Sequence, residues 1–130
     1  MNGEVSHFEI PAKKLERAKV FYSEVFGWKT DTMPMASGGS YTSLITTEVG
    51  EDRMPKRRGA INGGMPEMAA PLTGPVVTIE VDDIASTLKA VQTKGGKTVV
   101  KRTSMGEFGA YAYFKDTEGN LLGLYEYPKK

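Results

Sequence analysis

The sequence predicts an α+β fold made of two repeated units, each running strand, helix, then further strands. Three observations carry this. Alternating apolar and polar residues mark a strand near the start, Val5 to Ile10, and another at Val76 to Val81. Each is followed closely by apolar residues at helical spacing. A shift of 69 residues lays Leu15 on Ile84 and His7 on Val76, a repeat of about half the chain and too long for a solenoid. All 130 residues are read as one domain, with module one over about 1–65, a linker over about 66–74 and module two over about 75–130. The Pro- and Gly-rich stretch GMPEMAAPLTGP supplies that linker.

In the first strand, Val5, His7 and Glu9 share one face, and Phe8 and Ile10 share the other. A helix is expected from about Lys14 to Phe26. Leu15, Ala18, Tyr22 and Val25 fall at its spacing, and Gly27 stands where a left-handed cap belongs. The aromatic residues Phe21, Tyr22, Phe26 and Trp28 follow that helix and read as core. MPMASGG is a loop by composition, and a strand follows from Tyr41 to Thr47. The charged turn EVGEDRMPKRR then returns as a glycine-rich strand, GAINGGM. In the second half, Val76, Thr78 and Glu80 alternate with Val77, Ile79 and Val81; Glu80, near the strand end, reads as solvated. Asp82 or Asp83 caps a helix carrying Ile84, Leu88 and Val91, which Gly95 and Gly96 end. The last stretch, GAYAYFKDTEGNLLGLYEY, is two strands about the turn KDTEGN. Each half is too small for a core of its own, so the two are expected to pack together and leave a half-polar concave face for a small ligand.

Composition narrows the classes of function. Hydrophobic residues are 39% and charged residues 25%, the balance of a soluble globular chain. A net charge of +1 gives no case for nucleic acid or an anionic membrane. The four positive charges of RMPKRR follow two acids and read as a solvated hairpin tip. The chain has no cysteine, which excludes disulfides, thiolate metal sites and thiol nucleophiles. With no signal peptide or membrane-length apolar run, the expected location is cytoplasmic. The pairs Gly38-Gly39 and Gly63-Gly64 precede no helix and are not spaced as a phosphate loop. The Met-Pro pairs at Met33, Met54 and Met65 suit either adaptable lips of a pocket or loop packing.

HFEIP, LERAKVFYSEVFGW, EVDDIASTLKAV and FKDTEGNLLGLYE together resemble the vicinal oxygen chelate superfamily of glyoxalase, bleomycin-resistance and extradiol dioxygenase proteins, across essentially the whole chain. INGGM adds a likeness to its single-domain glyoxalase-like group. The resemblance implies two βαβββ modules forming a cupped, mostly antiparallel sheet, and suggests a homodimer. It also implies a metal held in the cup by a histidine on the first strand, a His or Glu opening module two, and a carboxylate on the last strand of each module. His7 keeps the first position, eight residues before Leu15. Eight before Ile84 is Val76, seven after Asp116 is Gly123, and the module-one equivalent falls near Asn62. One strong ligand does not make a metal site, so no cofactor is expected and a divalent metal is disfavoured.

The candidate site is therefore His7 and Glu9 as a proton-sharing pair, with Glu9 expected to raise the pKa of His7. His7, Asn62, Thr78, Gly123 and Tyr125 would contact the ligand. Gly123 either leaves room for a guest stacked on Tyr125 or accommodates a neighbouring strand. The reading is a protein that binds a small carbonyl or aromatic ligand without a metal; any turnover would be of the glyoxalase lyase or isomerase kind, with His7 and Glu9 moving a proton. The alternatives are a non-catalytic sequestering protein, and a metal-dependent lyase or dioxygenase using His7 with Glu126. Regular alternation points Glu126 to the face opposite Gly123. The partners expected are a small molecule and a second copy of the chain, without nucleic acid or membrane.

Overall fold

The computed structural model describes residues 3–35 and 39–129. It divides into two compact units: residues 7–75, and the chain from Val76 onward joined by its start as far as Ser6. The order βαβββ occurs twice, as the sequence predicts. The first module has β1 (Glu4–Glu9), α1 (Leu15–Phe26), β2 (Lys29–Pro34), β3 (Ser40–Ile45) and β4 (Gly63–Met65). The second has β5 (Val76–Glu80), α2 (Ile84–Thr93), β6 (Lys97–Ser104), β7 (Ala110–Lys115) and β8 (Leu121–Glu126), with a 3-10 turn at Gly106–Phe108. The strands run β2-β3-β4-β1 and β5-β8-β7-β6. In each module the first and last strands pair in parallel, and the remaining pairings are antiparallel.

In the first unit, α1 turns Leu15, Ala18 and Tyr22 toward Phe8, Ile10 and Trp28, around buried Ala12, Leu44 and Met65. Met65 is thus core and not a pocket lip. Gly27 caps the helix in the left-handed region (φ 74°), as expected, its N–H bonding the Ser23 carbonyl at 3.0 Å. Core membership holds for Tyr22 and Trp28 but not for Phe21 and Phe26, which are 53% and 59% exposed. Phe21 flanks the Leu15–Ala18–Tyr22 face, its ring meeting Tyr22 edge-on with centroids 5.2 Å apart, and Phe26 ends the last turn.

Met33 and Pro34 belong to β2, pairing with Tyr41 and Ser40, and not to a loop. Proline is tolerated there because β2 ends the strand order. The rest of that expected loop at 36–38, Gly38 included, lies outside the described residues. β3 stops at Ile45 and not Thr47, because the Asn62 side-chain oxygen takes the Thr46 and Thr47 amides at 2.8 and 3.0 Å. In the charged turn, Lys56 pairs with Glu48 at 3.0 Å, both exposed.

The second unit packs α2 on β7 and β8 around Val81, Ile84, Leu88, Ala110, Ala112, Phe114 and Leu124. Asp83 is the cap, its carboxylate accepting from the Ser86 amide at 2.9 Å. Asp116 closes the KDTEGN turn by accepting from the amides of Glu118 and Asn120, both at 2.9 Å. No helix among the described residues is long and apolar enough to cross a membrane.

Candidate functional site

On the face of the first unit opposite its core, alternation brings three side chains together. Phe8 of β1 and Ile10 just beyond it enter the core, so His7 and Glu9 point the other way. On β3, Leu44 enters the core and Tyr41 takes the opposite face. The short strand β4 lies between them, with Gly64 in register with Glu9 on one side and Ser43 on the other. The Tyr41 ring crosses over Gly64, where a Cβ would overlap the hydroxyl and ring and sit 3.0 Å from Cε2. Gly63 does the same for the core face, where a Cβ would stand 2.6 Å from the Phe8 ring. The glycine pair is a passage for one aromatic ring on each face of the strand.

Laid across Gly64, the Tyr41 hydroxyl reaches both acid and imidazole. It stands 3.2 Å from His7 Nε2 and donates to Glu9 Oε2 at 3.3 Å. Glu9 is buried, at only 6% exposed, while His7 and Tyr41 are half-buried. Burial first, and then the neighbouring Glu9 charge, push the Tyr41 hydroxyl well above its usual range and keep it protonated. Burial lowers His7 to about 4. The expected upward shift of His7 by Glu9 does not occur, since loss of water favours the neutral ring. At neutral pH the site therefore offers a neutral imidazole and a neutral phenol beside a buried acid.

The other expected site residues are employed elsewhere. Asn62 spends its oxygen on the end of β3. The register replaces it: Thr78 is 69 residues on from Glu9, and Gly123 pairs with Thr78 as Gly64 pairs with Glu9, so Gly64 is the module-one equivalent of Gly123. At Gly123 a Cβ would lie 2.9 Å from Thr78 Oγ1, so the strand neighbour uses that room. The Tyr125 hydroxyl donates to the Phe108 carbonyl at 2.6 Å and holds the 3-10 turn. Burial and then the Glu80 charge push this phenol up. Glu80, expected to be solvated, is buried. Glu126 is 1% exposed and faces α2, accepting from the Ile84 amide at 2.8 Å and from Arg102 at 2.7 and 3.1 Å. Its carboxyl is held below the usual range, first by the Arg102 hydrogen bond. Tyr41 and Gly64 are the residues that sequence reasoning missed. The signal available was the parity of Tyr41 with Ser43, but no residue pattern gives the register across β4.

Fold and site together meet their family at this point. The chain belongs to the Glyoxalase/Bleomycin resistance protein/Dioxygenase superfamily, which it matches over residues 4–124. It is 34% identical to a glyoxylase-like domain-containing protein of Didymella fabae, over 100% of this chain and 98% of that protein. It is 29% identical to CFP32 of Mycobacterium bovis over 84% of this chain, spanning 40% of that protein's length. Among solved structures, the protein BH1468 from Bacillus halodurans superposes with a TM-score of 0.69 at 16% identity, over 100% of this chain and 98% of that one. A variant of Streptomyces coelicolor methylmalonyl-CoA epimerase in complex with 2-nitronate-propionyl-CoA gives 0.70 at 14%, over 99% and 100%. At those identities the likeness is one of fold.

The metal that the family resemblance implies does not fit these residues. Of the positions it would use, only His7 carries a donor; Gly64, Val76 and Gly123 carry none, and the tyrosine fills the space over Gly64. Among the described residues, no three His, Cys, Asp or Glu side chains gather in a way that could hold an ion.

Proposed function

We propose that this chain binds a small organic ligand, carrying a carbonyl or aromatic group, on the first-module face that bears His7, Tyr41 and Glu9, and that it binds without a metal. The hydrogen-bonded trio carries the reading: it sets a neutral imidazole and a neutral phenol, both half-buried, beside a buried carboxylate, the few convergent polar groups that orient a small ligand. Titration calorimetry against a panel of small carbonyl and aromatic compounds tests it. His7→Ala is expected to weaken binding by roughly tenfold, the equivalent of one good hydrogen bond. Stoichiometric Fe, Ni, Zn or Mn in the purified protein, or undiminished affinity in the variant, would overturn it.

A second reading is proton transfer beside a carbonyl, with His7 as the base, in a lyase or isomerase of the glyoxalase kind. What favours it is the hydrogen-bonded link from the imidazole to a buried carboxylate. A base lowered to about 4 is weak for that work at neutral pH, which places binding ahead of turnover. Turnover abolished in His7→Ala with affinity retained would reverse the order.

We further read the chain as a cytoplasmic homodimer. Arg17, Val20, Phe21 and Glu24 form the exposed stripe of α1. Two such helices laid antiparallel set Arg17 of one copy against Glu24 of the other, around the apolar pair. Phe21→Glu is expected to shift light-scattering mass from dimer to monomer; a monomeric parent protein would remove the reading.

A further inference from the structure

We infer that Tyr41 is a positioning residue: its hydroxyl, laid over Gly64 between His7 and Glu9, fixes the imidazole as the Nε2–H tautomer. Nδ1 then remains as the acceptor that meets the ligand, so this face selects molecules offering a hydrogen-bond donor. The inference deepens the proposed ligand site and rests on it for the choice of ligand, though not for the tautomer.

Proton counting gives the direction. A tyrosine hydroxyl has one proton, and an ionised carboxylate can only accept. The Tyr41 proton goes to Glu9 Oε2, so toward His7 the hydroxyl oxygen acts as acceptor. The atom facing it is Nε2, which must carry the hydrogen. A neutral imidazole has one N–H, so Nδ1 holds a lone pair. No other hydrogen bond reaches this ring among the described residues. Gly64 makes the bridge possible, since any side chain there would meet the tyrosine ring.

His7 is the chain's one histidine, so its ring nitrogens can be read by 15N NMR without assignment. The native protein at neutral pH should show a protonated, pyrrole-type Nε2 and a bare, pyridine-type Nδ1. Tyr41→Phe keeps the ring over Gly64 and removes only the hydroxyl; it should lower the tautomer ratio by roughly tenfold, the equivalent of one hydrogen bond. A purely packing role for Tyr41 would leave that ratio alone. An Nδ1–H ring in the native protein, or an unchanged ratio in the variant, would overturn the inference. Phenol and anisole then test ligand choice, as a matched pair with and without the O–H. Phenol should shift the Nδ1 signal with affinity about tenfold above anisole. Equal response to the two, or to neither, sinks donor selection. The tautomer measurement needs no ligand, so its failure and that of the ligand site are told apart.

Discussion

The imidazole of His7 gives up water on folding and gains a phenol in return, and the pH dependence of stability follows from that exchange. Its pKa is about 4 in the folded chain against an ordinary 6.5, so between those values the unfolded chain binds more protons. Stability is full above pH 6.5 and falls as pH drops toward 4, by on the order of 3 kcal/mol at this residue. Urea denaturation of the parent and of His7→Gln at pH 7 and pH 4.5 checks this: the parent should lose more across the interval. Gly64→Ala forces a methyl into the Tyr41 ring and should cost about 1–3 kcal/mol at any pH; its urea midpoint at pH 7 measures that. His7 and Glu9 were legible because one strand's alternation places both. Tyr41 was not, because its role depends on crossing a three-residue strand whose register local sequence leaves open.

Among the elements, α2 begins on two acids with different duties. Asp83 caps it from its own chain position, and Glu126 reaches it from β8, accepting from Ile84 while pairing with Arg102. Removing the buried carboxylate strands a helix amide and an arginine, so Glu126→Ala should cost about 2–4 kcal/mol by urea denaturation. Asp83→Ala removes a cap hydrogen bond accepted at a solvent-facing carboxylate and should lower the urea midpoint by less than Glu126→Ala does. The sequence makes the ends of both helices readable, since Gly27 and Asp83 have few other uses in those places. It conceals β2, which the residue pattern does not mark, and Met-Pro at its end reads as loop until the strand is known to lie at an edge. It likewise overextends β3, because the stop is a side chain 16 residues away, Asn62 on Thr46.

At the scale of the whole chain, the duplication is the most legible feature: one offset, 69 residues, aligns first strands and helices, and the parallel pairing of first with last strand makes Gly64 and Gly123 equivalent. That equivalence puts a glycine, which carries no donor, at the last-strand position of both modules, where counting along the sequence points to Asn62 in one of them. Excess EDTA, or added Zn, Ni or Mn, is therefore expected to leave the thermal midpoint unchanged, since a specific ion would raise it by mass action. Leu44→Ala in the first core should cost about 2–5 kcal/mol in a denaturant titration. The chain's one tryptophan, Trp28, lies nearly parallel to Tyr22 at 5.0 Å and 8°, in the same unit as its one histidine. Red-edge excitation therefore draws its emission from residues 7–75 alone, so one half of this duplicated chain can be watched optically with no label attached.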